Sequence, residues 1–115
     1  DSGLAAPLRL DSPAEIARMM QAKWALGLAG GLSIANPIPA DDEIPAARID
    51  GAIEAALAEM ARRGISGQET TPFLLARVSE ITGGDSLKAN IALVKNNARL
   101  AAEIALAYAR LETAG

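Results

Sequence analysis

The sequence predicts an α/β protein that is mostly helical, with about four helices and one or two short strands. Three observations lead there. Residues that start and stop helices recur along the chain, with Ser-Pro, Thr-Pro and Asp-Ser at the openings and glycines at the closings. Between them, apolar residues recur at three- and four-residue steps, the spacing of one helix face. A six-residue apolar run, Gly31-Leu32-Ser33-Ile34-Ala35-Asn36, follows glycines and is too short for a helix, so it reads as a buried strand.

In chain order, residues 4–10 are a short extended piece broken by Pro7. Proline has no N–H to give a ladder, so this is an edge strand or a loop. Ser12, Pro13 and Glu15 then form a helix start: the Ser12 hydroxyl caps, Pro13 takes the first helical position, and Glu15 completes a capping box. Ile16, Met19, Met20 and Trp24 share one face, with Arg18 and Lys23 off it, and Gly27, Gly30 and Gly31 end the helix. The strand that follows stops at Asn36-Pro37-Ile38-Pro39. Two prolines fix φ at about −65° and push the preceding residues into extended geometry. The result is a stiff corner that holds its carbonyls and the Asn36 amide in set directions.

Ala40-Asp41-Asp42-Glu43 is an acidic loop. It lacks the alternate spacing and turn glycine of a calcium loop, so it reads as solvated charge. Pro45 opens a helix that runs to about Arg63, with Ile49, Ile53, Leu57 and Met60 as its inward stripe. Glu54 and Glu59 face water, Arg62 and Arg63 complement the helix dipole, and Gly64 is a left-handed cap followed by Ile65. Thr70-Thr71-Pro72 opens a helix over Pro72–Ile81. Phe73, Leu74, Leu75, Val78 and Ile81 make it apolar on more than one side, which predicts burial between other elements.

Gly83 and Gly84 stop that helix, and Asp85 and Ser86 are a fresh cap pair. No Pro or Gly follows before Leu111, so this is one helix of about 25 residues, roughly 37 Å long. Leu87, Ile91, Val94, Ala101, Ile104, Tyr108 and Leu111 form its apolar stripe. Asn90, Asn96 and Asn97 lie in its first half, where a helix built for stability prefers Ala, Leu or Glu. Asn90 and Asn97 are seven apart and share a face near the stripe. A buried amide left unpaired costs about 1–3 kcal/mol, so these side chains are expected to bond another segment, water or a ligand.

Composition narrows the chemistry. Half of the 115 residues are hydrophobic, but Trp24, Phe73 and Tyr108 are the only aromatic ones and alanine supplies much of the rest. Alanine buries little area, so the core is thin and a covering surface is expected, either another subunit or the remainder of a larger domain. The net charge is −3 with dispersed charges, and no basic stripe suits a phosphate backbone, so nucleic acid is not an expected partner. There is no Cys and no His. This removes thiolate chemistry, cysteine-ligated metal and the commonest general base, and it suits a reducing compartment. No apolar run approaches 20 residues, so no membrane span is expected. The chain opens at Asp1 rather than Met, and its first residues read like a chain entered midway.

No catalytic set is complete. Gly27-Leu28-Ala29-Gly30-Gly31 follows a helix and precedes a strand, the wrong order for cradling phosphate, and reads as a helix cap and turn. Lys88 and Lys95 read as surface lysines, and nothing pairs Glu80 with Glu103. No metal ligands are identified.

Three stretches carry a resemblance: Gly30–Pro39 with its Ser33-Ile34-Ala35-Asn36-Pro37-Ile38-Pro39, Thr71–Arg77, and Thr82-Gly83-Gly84-Asp85-Ser86-Leu87-Lys88-Ala89-Asn90-Ile91 running on to Ala98. Leu8–Ser12 and Glu15–Ala17 add to it. The chain resembles, over nearly all of residues 1–115, the C-terminal part of the single domain of pseudouridine-5′-phosphate glycosidases of the indigoidine synthase A-like family. The resemblance implies an enzyme that reversibly cleaves the C–C glycosidic bond of pseudouridine 5′-phosphate to uracil and ribose 5-phosphate. It implies a ring-opened sugar held as an imine on a lysine, a carboxylate acting as general acid, and a divalent metal, typically Mn2+. It also implies a layered α/β/α domain, a homotrimer and a cytoplasmic location. The family's lysine, acid and metal-binding Asp lie upstream of the matched segment, so the chain alone is expected to be inactive. Asn90 matches the family's active-site asparagine, with hydrogen bonding to substrate or to the opened sugar as its implied role. Asn36 and Thr71 match stretches that line or brace the same cleft. The competing readings are a non-catalytic helical interaction module and one subunit of a split enzyme.

Overall fold

The structure, a computed structural model, describes residues 5–114. It contains helices α1 (Pro13–Ala25), α2 (Ala46–Arg63), α3 (Thr70–Ile81) and α4 (Asp85–Ala114), with single 3-10 turns at Ala40–Asp42 and Gly67–Glu69. Four helices match the expectation. The predicted strand over residues 31–36 does not form, and no strand occurs among the described residues. A strand needs a second edge to pair with, and the described residues supply none. Residues 5–10 are irregular and Leu4 lies outside the described residues.

The chain forms two compact units. One comprises the residues up to Pro37 together with those from Lys95 onward, and the other is Ile38–Val94. In the first unit, α1 opens as its sequence demands. The Ser12 hydroxyl accepts from the Glu15 N–H at 3.2 Å, and the Glu15 carboxylate accepts from the Ser12 N–H at 3.0 Å. At the other end, Gly27 takes φ +70°. The Leu28 N–H then reaches the Lys23 carbonyl and the Gly27 N–H reaches that of Trp24, the paired bonds of a Schellman close. The Lys23 ammonium adds a bond to the Ala29 carbonyl at 2.8 Å. The glycine-rich stretch is thus a helix cap and turn. Among the described residues of this unit, Ile16, Ala17 and Ile104 are the buried apolar ones.

In the second unit, α2 and α3 meet along Ala52, Ala56 and Val78, with Ile49 and Leu74 packed beside them. Of the expected inward stripe, Ile49 packs against this core and Met60 is half-buried, but its middle is displaced by one position to Ala52 and Ala56. Ile53 and Leu57 are exposed, because the two helices approach where α2 carries methyl groups rather than branched chains. Helix α3 is covered on one side only: Val78 is buried, whereas Leu75 and Ile81 are exposed. It also starts at Thr70, two residues before Pro72, and no side chain caps it. Arg77 sits between Glu59 at 2.7 Å and Glu80 at 2.8 Å. The Arg77 hydrogen bond is the main reason the Glu59 carboxyl is held below the ordinary carboxylate range.

The turn from α3 to α4 differs from the expected Asp85–Ser86 cap. Its capping hydroxyl belongs to Thr82, which is buried. Thr82 Oγ1 donates to the Val78 carbonyl at 2.8 Å and accepts from the Ser86 N–H at 3.1 Å. Arg48 reaches over from α2, donating to the Thr82 carbonyl at 3.1 Å and pairing with the Asp85 carboxylate at 2.9 Å. Helix α4 runs 30 residues, three past Leu111. Of its predicted stripe, Ile104 is buried and Tyr108 and Leu111 are half-buried, whereas Leu87, Ile91 and Val94 are exposed. Among the described residues no helix is long and apolar enough to cross a membrane.

Candidate functional site

The Asn36–Pro37 corner is the place where polar side chains from distant sequence converge. Asn36 Nδ2 donates to Asn97 Oδ1 at 3.1 Å, and Asn96 Nδ2 donates to the Pro37 carbonyl at 3.3 Å. Two successive residues of α4 therefore hold two successive residues of the corner. Pro37 has no N–H and the corner has no strand partner among the described residues, so its polar groups are open to side chains and water. The asparagines that looked misplaced in a helix supply the side chains.

Below the amide pair lies a cavity of about 360 Å³, walled by Met20, Ile34, Leu100, Ala101, Ile104 and Ala105, with Asn36 and Asn97 at its polar end. No ionisable side chain lines it. Two amides offer four N–H groups and four lone pairs, and the bond between them uses one of each. About three donors and three acceptors are left for a ligand. Such a site can orient a neutral polar edge against an aliphatic wall. It holds no nucleophile and no general acid or base.

Of the other residues singled out from sequence, Asn90 lies on α4 and Thr71 in the first turn of α3, both exposed and both in the Ile38–Val94 unit. Asn90 makes no side-chain hydrogen bond to another described residue. Asn36 pairs with Asn97. Asn96 and Asn97 were visible in the sequence as amides out of place in a helix, but nothing local assigned them a partner. The partners lie 59 and 61 residues away. Lys88 and Lys95 are exposed, and Glu80 pairs with Arg77. Among the described residues, no three His, Cys, Asp or Glu side chains are grouped to hold a metal ion.

Comparison with known proteins gives these features a family. The profile described as "Indigoidine synthase A like protein" matches residues 1–107. A pseudouridine-5′-phosphate glycosidase of Nocardioides sp. is 66% identical over 110 residues, covering 96% of this chain and 36% of its own length. The enzyme of that name from Escherichia coli is 60% identical over 104 residues, covering 90% of this chain and 33% of its own length. Among solved structures, a prealnumycin C-glycosynthase in complex with ribulose 5-phosphate superposes with a TM-score of 0.80 at 29% identity, across 93% of this chain and 35% of that one. The chain spans about a third of the length of the curated relatives it matches, and the match is to their C-terminal portion. With a profile match across nearly its whole length, the chain belongs to the indigoidine synthase A-like family.

Proposed function

We propose that this chain is the C-terminal portion of an enzyme that reversibly cleaves the C–C glycosidic bond of pseudouridine 5′-phosphate, releasing uracil and ribose 5-phosphate. The observation that carries the proposal is the 66% identity to a glycosidase of that name across 96% of the chain. The fold shared with a C-glycosynthase bound to a sugar phosphate supports the same kind of substrate.

In this reading the reactive groups come from sequence outside the chain: the lysine that forms the imine, the acid and the metal-binding Asp. A C–C glycoside has no leaving oxygen to protonate, so an opened sugar held as an imine supplies the electron sink that bond breaking needs. The described residues do not fit a metal by themselves. Manganese is therefore assigned to residues elsewhere, and no step here runs through it. The chain contributes neutral hydrogen bonding. Asn90 bonds the substrate or the opened sugar, and its amide, which has no partner among the described residues, is available for that role. Asn36 and Thr71 line or brace the same cleft, and the amide pair at Asn36 supports a binding role there. The layered α/β/α domain, the homotrimer and the cytoplasmic location belong to the same proposal. The exposed Leu87, Ile91 and Val94 support a further covering surface.

A chimera tests this. Residues 1–115 replace the matching portion of the Nocardioides relative, and uracil release from pseudouridine 5′-phosphate is followed. The chimera is expected to turn over and the chain alone is not. A folded chimera that releases no uracil, or turnover by the isolated chain, overturns the proposal.

A further inference from the structure

We infer that Asn97 is a positioning residue for Asn36, and that Asn96 and Asn97 together clamp the Asn36–Pro37 corner onto α4. The inference rests on the reading of Asn36 as a substrate-binding residue. A helix has little reason to carry two adjacent asparagines, which are poor helix formers. Here each amide has a distinct target. Asn96 takes the Pro37 carbonyl and Asn97 takes the Asn36 side chain.

The two bonds restrain different freedoms. The Pro37 ring already fixes its φ, so holding its carbonyl also fixes the direction in which the chain leaves Asn36. What remains is rotation of the Asn36 side chain, and its amide torsion is a broad, soft one. The bond to Asn97 Oδ1 closes that rotation. The second N–H of Asn36 and the lone pairs of its Oδ1 are then presented in one direction for a ligand. Neither Asn96 nor Asn97 has to touch that ligand.

Steady-state kinetics of the chimera test the clamp. Asn97→Leu removes the acceptor at similar volume and is expected to raise KM about fivefold, the worth of one neutral hydrogen bond, with kcat little changed. Asn97→Asp keeps an oxygen for Asn36 Nδ2 and is expected to bring KM back close to that of the parent. In an Asn36→Ala background, Asn97→Leu is expected to add nothing, because its effect runs through Asn36. Additive effects of the two substitutions, or equal damage from Leu and Asp at position 97, overturn the clamp. If Asn97→Leu does not fold, Asn97→Ala is read in the same way. An unsubstituted chimera without activity would sink the functional reading instead. The clamp is then decided by NMR of the Asn36 side-chain amide, whose order is expected to fall with Asn97→Leu and recover with Asn97→Asp. Unchanged order in the Leu variant overturns it.

Discussion

Replacing Thr82 with valine tests whether one buried hydroxyl joins α3 to α4. Thr82 is 3% exposed, and valine reproduces its shape, so packing is retained while the hydroxyl is lost. The Val78 carbonyl keeps its bond from the Thr82 backbone N–H at 3.0 Å, so its loss matters little. The Ser86 N–H, bonded to Thr82 Oγ1 at 3.1 Å, is left without its acceptor. An orphaned buried donor costs about 1–3 kcal/mol and a lost N-cap about 0.5–2 kcal/mol. Ser86 is half-buried, so water makes good part of the loss and about 1.5 kcal/mol applies. That corresponds to roughly tenfold faster opening of the first turn of α4. Hydrogen–deuterium exchange with mass spectrometry on the chimera reads this directly, with a peptide from the middle of α2 as internal reference. Thr82→Ser, which keeps the oxygen, should leave protection of Ser86 largely intact. Exchange in the valine variant within about twofold of the parent would refute the assignment of the cap, and so would faster exchange in the serine variant than in the valine one.

Three further outcomes are expected. Glu59→Gln should flatten the acid side of the stability profile. A carboxyl whose folded pKa is depressed stabilises the fold above its unfolded value and loses that contribution as pH falls through the folded one, so parent and variant should converge as pH falls below the ordinary carboxylate range; parallel urea-midpoint curves across the acid range would contradict this. Gly64→Ala places a side chain at φ +66° with nothing within 4 Å of the new Cβ, so only backbone strain of about 1 kcal/mol is expected, measured as a lower urea midpoint. Asn90→Ala in the chimera should lower turnover of pseudouridine 5′-phosphate by about tenfold with an unchanged circular dichroism spectrum, and near-parental turnover would remove Asn90 from the site.

Helix boundaries were legible because their causes are local. Ser12 with Glu15, Pro45, and Gly64 followed by Ile65 each act within one turn of chain, and the structure has them in those roles. What failed depended on partners that a local reading cannot see. The run at residues 31–36 has a strand's composition but no neighbouring edge among the described residues. On α2, branched residues look more like core than alanine does, which points to Ile53 and Leu57 between Ile49 and Met60. Close approach of α3 selected Ala52 and Ala56 instead. The Thr82 cap was hidden behind Asp85 and Ser86, which are more usual cap residues in the more usual place. At the site, the sequence marked both ends of the amide pair, Asn36 for its rigid corner and Asn97 for its unsuitability in a helix. Only three-dimensional structure joins residues 61 apart.

The α2–α3 joint, closed by Ala52, Ala56 and Val78, has an asymmetric tolerance. On the α2 side, Ala52 and Ala56 each offer a single methyl to trim. Any enlargement at Ala52 or Ala56 must displace Val78, Ile49 or Leu74 or push the two helices apart. Drift at Ala52 and Ala56 is therefore confined to Gly, Ala and Ser, so the spacing of the joint is pinned from the α2 side.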